Sequence, residues 1–455
     1  MSRKLVLVAL AALGCTSAPI VRSGAGEDGT YAMASDVDPR NEARRALERD
    51  ARRRETAMLD VLEPGRALAS TRLTDEEVAA GLVPPRELFG IGGELFHHTF
   101  LPEESGVATL ARFGGTGAPP ARRCAACHTR GIAGSGTSVD VAYEEGDGEQ
   151  ASSAVVRRPR SLAGAAWIEL AARATTAELA ALRDATIALA RQRGGDVTSQ
   201  LTTRAGLSFG RLTAHADGSL DTTALAGLDA DLVVRPFGAR GEHASLREAV
   251  ESELGARLGL TVGEAPAPLA ETQRTALVTY LALLAPPIEE PPSDPDFALA
   301  SATGRERFVA LGCAGCHVPE IEIPSTRLDV GSGVTVDLAT DSESPRLAPP
   351  PSDGAWIVRA YTDLRRHAMG AALADPRAVD AHETDAFVTP PLWGCASAAP
   401  YLHDGRAGSI EDAILAHGGE AQAARDAYDA LGYTERGELR LFLATLVRAR
   451  RLEVR

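Results

Sequence analysis

The chain has 455 residues, enough for two or three domains, and 44% of them are hydrophobic, which supplies a core for each. A formal net charge of −15 argues against nucleic acid as a partner and favours basic or neutral ones. Only 4% of residues are aromatic while Ala, Leu, Arg and Glu abound, so helices are expected to outweigh sheets.

Arg3 and Lys4 precede an apolar run over residues 5–13, too short to span a bilayer and patterned as an export signal. Ala12-Leu13-Gly14-Cys15 then resembles a bacterial lipobox, whose cysteine becomes the lipidated first residue of the mature protein. Two outcomes stay open. Cleavage before Cys15 leaves a lipid-anchored periplasmic protein, on the outer membrane of a Gram-negative bacterium; cleavage after Ala18 leaves a soluble periplasmic one. Residues 1–18 are thus read as the signal. Residues 19–85 form a small-residue tether followed by a charged, Ala-rich exposed helix at 41–62.

Cys124 to His128 reads CAACH, and Cys313 to His317 reads CAGCH. In a C-x-x-C-H string the two thiols can add to the vinyl groups of a haem, and the adjacent His is then held where it can ligate the iron. A second copy, 317 − 128 = 189 residues on, makes coincidence a poor explanation. The alternatives are a redox-active C-x-x-C and half of a zinc site. No βαβ pattern surrounds either copy, and zinc would need four ligands gathered from two distant strings. The reading is two covalently bound haem c groups, attached by Cys124, Cys127, Cys313 and Cys316, with His128 and His317 as proximal iron ligands. Of the remaining cysteines, Cys15 is the processing site and Cys395 reads as a buried hydrophobe.

The chain looks like two diverged copies of one unit. Gly93-Glu94-Leu95-Phe96 precedes the first string and Gly304-Arg305-Glu306-Arg307-Phe308 the second. Pro236-Phe237, Gly241 and residues 245–250 match Pro400-Tyr401, Gly405 and residues 409–414 at a constant offset of 164. Each half closes with an amphipathic helix, residues 271–284 and 434–447. A Pro-rich stretch, residues 286–295, cannot be helical and reads as a stiff linker. The expected fold is mainly α: two tandem cytochrome c-like haem domains with long loops, at residues 86–285 and 296–455.

Four segments of the second half then carry a family resemblance. They are residues 361–370 (YTDLRRHAMG), 389–394 (TPPLWG), 401–407 (YLHDGRA) and 413–421 (AILAHGGEA). In that order they resemble the di-haem oxidoreductase family, related to bacterial di-haem cytochrome c peroxidases. Residues 95–101 (LFHHTFL) and 161–169 (SLAGAAWIE) resemble it more loosely. The resemblance implies that His417 is the distal ligand of the C-terminal haem; the alternative is a helix cap beside Gly418-Gly419. It implies a pocket role for His403 on the loop before Asp404-Gly405. Met369 reads as core rather than ligand. His97 and His98 are adjacent, so on an extended segment only one could face a haem. His215, His243, His367 and His382 carry no signal.

Peroxide chemistry would need an acid–base group over an open haem face. Glu169, in an apolar Trp-Ile-Glu-Leu context that would raise its pKa, is one candidate; a helix-start or salt-bridged role is the alternative. Where the family has Glu before Leu-Gly, this chain has Arg257 before Leu258-Gly259, with Glu253 one turn earlier on the same face. Where relatives carry Trp after Phe-Gly, this chain has Ala239. The expected function is peroxide reduction. Electrons would come from an external donor, such as a small cytochrome or cupredoxin, through the C-terminal haem to the N-terminal one. The alternatives are a non-catalytic di-haem electron-transfer cytochrome, and oxidation of another substrate by stored oxidising equivalents.

Overall fold

Four of the described helices begin at a side-chain cap. In the computed structural model, which describes residues 73–101, 121–128 and 142–447 apart from breaks at 145, 148–149, 261–268, 344, 346–347, 349–350, 353 and 378–381, Thr74 caps α1 (Asp75–Ala79). Cys15, the signal and the charged helix at 41–62 lie outside the described residues. Pro85 opens α2 (Pro85–His97) with its φ already set for the first turn. α3 (Ala165–Arg193), α4 (Leu246–Leu258) and α5 (Glu271–Ala282) complete the first half. In the second, Asp294 caps α6 (Pro295–Ala310) and Ser409 caps α7 (Ile410–Leu415), followed by α8 (Gln422–Asp429) and α9 (Tyr433–Thr445).

Short antiparallel strands fill the connections. β1 (Ala142–Glu144) pairs with β2 (Val155–Arg157), and β3 (Val197–Thr202), β4 (Ser208–Ala214) and β5 (Leu220–Asp221) form a meander. β6 (Ile288–Glu289) pairs with the terminal β14 (Leu446–Val447). β7 (Ile321–Ile323), β10 (Pro351–Ser352) and β11 (Ala355–Val358) make one sheet, β8 (Arg327–Gly331) and β9 (Val334–Asp337) a hairpin, and β12 (Arg366–Ala368) and β13 (Ala386–Val388) a ribbon. With 41% helix and 16% strand the architecture is mixed, which corrects the expectation of a mainly α fold. The missed strands are short alternations. Leu328, Val330, Val334 and Val336 point inward from β8 and β9 while Arg327, Asp329 and Thr335 face solvent.

Each half stacks its first helix on its closing helix, α2 on α5 and α6 on α9. Both crossings are backbone to backbone at a glycine. A Cβ on Gly92 would lie 2.0 Å from the Ala276 carbonyl oxygen, and one on Gly304 would lie 2.0 Å from that of Glu438. The structural partner of Gly304 is therefore Gly92, one residue before the glycine matched by sequence. The 164-residue offset is structural too: Phe237 bridges His243 as Tyr401 bridges Ala407, and Ser245 and Ser409 cap equivalent helices. The closing helix α5 is buried almost all round rather than amphipathic. Its threonines allow this because Thr279 Oγ1 donates to the Thr275 carbonyl at 2.8 Å.

Packing does not divide the chain at the Pro-rich stretch. One core runs through α1 to α5 and takes in Ile321, Ile323, Leu328, Val330, Val336 and Val358 from beyond it. A second core gathers Phe308, Tyr361, Cys395, Tyr401, Ile410, Tyr428 and Phe442 around α6 and α9. Residues 286–292 are extended as expected, with β6 tied to the end of the chain, whereas residues 293–294 bend and Pro295 opens α6, which corrects the linker's expected end. Among the described residues no helix is long and apolar enough to cross a membrane.

Candidate haem sites

The two C-x-x-C-H strings fold alike. Each forms one 3₁₀ turn, Cys124–Ala126 and Cys313–Gly315, whose first carbonyl accepts the amides of the second cysteine and the histidine. His128 Nδ1 donates to the Arg160 carbonyl at 3.1 Å, and His317 Nδ1 donates to the Tyr361 carbonyl at 3.1 Å. A carbonyl can only accept, so Nδ1 carries the proton and Nε2 keeps a lone pair for a metal. Phe96 flanks the first ring at 6.4 Å and Phe308 the second at 6.5 Å, with similar tilts.

These residues fit a haem. Burial, partly opposed by the Arg160 hydrogen bond, pushes His128 down to about 4. Burial and the nearby His417 push His317 down to about 4 as well, so both rings are neutral at physiological pH and could ligate a metal. The described cysteines form no disulfide. Burial and then the Glu253 charge raise Cys124 to about 12, and burial raises Cys313 to about 11.

His417 lies just past α7, with Nδ1 donating to the Ala413 carbonyl at 2.7 Å and Nε2 left available. It is close enough to His317 for a charge on one to be felt by the other. Met369 is half-buried nearby, its carbonyl packed under Gly418. His367, which the sequence reading set aside, is buried on β12. Its Nε2 lies 2.8 Å from Asp363 Oδ2, its Nδ1 2.8 Å from Glu420 Oε2 and 3.8 Å from Cys316 Sγ. Burial opposes a charge there, but Asp363 and Cys316 raise His367 to about 10. The one sequence signal was Asp363 four residues earlier; Glu420 is 53 residues away.

At the first site Glu253 stands eight residues after Ser245, as His417 stands eight after Ser409. Its carboxylate is 57% exposed and lies 3.3 Å from Arg257 Nε. Glu169 is buried, and burial raises its pKa as expected. It is also fully engaged: Oε2 accepts the Leu246 amide at 2.8 Å and Oε1 pairs with Arg173 at 2.6 Å. Those bonds tie α3 to the start of α4. His97 and His98 end α2 instead of lying on an extended segment; His97 Nδ1 is 2.9 Å from the Gly93 carbonyl, and His98 packs edge-on against Phe100.

The structure places His403 at the junction of the halves. Its ring stacks on Phe387 at 4.0 Å and its Nε2 approaches Asp375 at 3.4 Å. Asp375 also accepts both Arg157 Nη atoms at 2.7 Å and Arg240 Nη2 at 2.5 Å. Burial alone would push this carboxyl up. Contacts from His403, Arg157 and Arg240 overcome that and hold it well below the usual carboxylate range. Cys395 is buried, its thiol donating to the Leu443 carbonyl at 3.1 Å.

No curated protein matches the chain. Among solved structures it is similar to the hydrazine synthase of Kuenenia stuttgartiensis, at 16% identity over 82% of this chain and 93% of that one, with a TM-score of 0.38. It is also similar to a MauG-like protein associated with microbial copper homeostasis, at 17% identity over 52% of this chain and 78% of that one, with a TM-score of 0.24. Residues 264–446 match the family described as "Di-haem oxidoreductase, putative peroxidase", and that stretch is similar to the family.

Proposed function

We propose that this chain holds two covalent haem c groups and reduces peroxide with electrons from an external donor. The observation that carries the reading is an asymmetry between two otherwise matched sites. His417 lies near enough to His317 to act on its charge, whereas Glu253, matched to it by sequence offset, acts on Cys124 of the first string. A bound haem would supply one-electron redox chemistry, and an open sixth position would admit a small oxygen-containing molecule.

The chain's own residues supply the rest. His128 and His317 are each oriented by a backbone carbonyl, so neither ring needs to reorganise to bind metal. His417 closes the second site and suits it to receiving electrons from a small cytochrome or cupredoxin. Glu253 moves a proton between the peroxide oxygens at the first site, and Arg257 orients that carboxylate. The balance is one peroxide, two electrons and two protons giving two waters. The export-signal reading puts this activity in the periplasm, either lipid-anchored at Cys15 or free after cleavage at Ala18.

The Glu253–Arg257 ion pair favours a second reading, since a carboxylate engaged by a guanidinium and 57% exposed is not committed to a pocket. In that reading both sites are closed and the protein only passes electrons. Peroxide consumption with a chemically reduced small cytochrome separates the two. Turnover in the wild type, lost in Glu253→Gln, supports the peroxidase. No turnover in the wild type overturns it.

A further inference from the structure

Three side chains outside the candidate iron ligands form one charged unit across the second site. His367 Nε2 lies 2.8 Å from Asp363 Oδ2, and its Nδ1 lies 2.8 Å from Glu420 Oε2. A carboxylate can only accept, so both ring nitrogens donate and the imidazole is a cation between two anions. His367 and Asp363 are buried, whereas the Glu420 side chain reaches the surface. Cys316 Sγ, 3.8 Å from His367 Nδ1, sets the unit against the second string. Its two ends belong to different loops. Asp363 stands two residues after Tyr361, whose carbonyl accepts from His317 Nδ1 at 3.1 Å. Glu420 stands three residues after His417, in the turn that opens with Gly418. That turn meets β12 backbone to backbone. Glu420 Oε1 accepts the Ala368 amide at 2.9 Å, and a Cβ on Gly419, at φ +53°, would lie 2.0 Å from the Ala368 carbonyl oxygen.

The Nδ1 bond of His417 to the Ala413 carbonyl lies within its own segment. It fixes the turn of the ring, and the distance from His417 to His317 is left to whatever ties the two loops together. We infer that the Asp363–His367–Glu420 unit is that tie, and that His367 is a positioning residue which sets His417 relative to His317. The inference rests on the ligation of the second site by His417 proposed above. A buried imidazolium suits the role because it donates in two directions from a rigid ring, one to each loop. Without it the Asp363 and Glu420 carboxylates would face each other, with Arg365, 4.0 Å from Asp363, as a partial offset. The loops would then be pushed apart rather than merely released.

The spin state of the oxidised full-length protein, read from its optical and low-temperature electron paramagnetic resonance spectra, reports where His417 sits. The second site should be low-spin in the wild type and high-spin in His417→Ala; failure of either overturns the ligation reading, and this inference with it. His367→Phe keeps a ring but loses both hydrogen bonds. It should give the high-spin signal of His417→Ala with two covalent haems retained, and added imidazole should restore the low-spin signal in both variants. Glu420→Gln changes a half-exposed side chain, keeps an acceptor for the Ala368 amide and removes the anion. It should move part of the second-site signal the same way, and it decides the matter should His367→Phe fail to load haem. Variants that lose stability but stay fully low-spin overturn the inference while leaving His417 as the ligand.

Discussion

Glu253 and His417 match by sequence offset, each eight residues beyond the serine that caps its helix, but Glu253 lies within α4 and His417 just past α7. Both halves give the histidine of the C-x-x-C-H string the same frame, a backbone carbonyl on Nδ1, and in the proposed account this position makes the two sites chemically different. An imidazole can close an iron; a carboxylate there can move protons instead.

His417→Ala should open the second site. Covalent haem should persist, and half of the optical signal should change from low-spin to high-spin. An unchanged spectrum would return His417 to a helix-end role.

Glu253→Gln keeps shape but removes the transferable proton, so peroxide turnover should fall roughly 10²- to 10⁴-fold with both haems retained. Glu169→Gln should leave turnover within a few-fold. Its effect should be on stability instead, about 1–3 kcal/mol by denaturant titration, because it weakens a buried acceptor that ties α3 to α4. The reverse pattern would exchange the roles assigned to these two carboxylates.

Gly92→Ala and Gly304→Ala should each cost about 1–3 kcal/mol, because the added carbon meets a backbone oxygen at 2.0 Å. Gly90→Ala, in the same helix with open space around it, should stabilise by about 0.5–1 kcal/mol. Equal effects of Ala at 90 and 92 would show that the helix crossing is looser than described.

Asp375 should make the contact between the halves acid-sensitive. Its folded pKa is depressed, so its contribution is present above the unfolded carboxylate value of about 3.9 and is lost as pH falls toward the folded value. Asp375→Asn leaves Arg157 and Arg240 buried without their anion, at a cost of about 3–5 kcal/mol. Its stability should also vary less than the wild type's between pH 5 and pH 3, as followed by circular dichroism.

The sites were more legible in the sequence than the packing. Five-residue strings, capping serines and a constant offset are local signals, and the two folded turns match in their hydrogen bonds and ring contacts. Contacts between distant residues leave no such trace. Arg157 and Asp375 are 218 residues apart, and neither sits in a motif. β7 to β9 are too short for their alternation to stand out, and nothing local says that they pack on the other half's core. His367 reads as a surface histidine in a charged string until β12 pairs with β13 and turns it inward beside Asp363. Glu169 was found for the right reason, desolvation, but its partners Arg173 and Leu246 give it structural work.

The account rests on two haems that differ in ligation, and the low-temperature electron paramagnetic resonance spectrum of the oxidised wild-type protein tests this directly. One low-spin and one high-spin ferric signal of equal intensity are expected, the first assigned to the His317–His417 site and the second to the His128 site beside Glu253. Two low-spin signals would contradict an open first site and leave an electron-transfer cytochrome in its place.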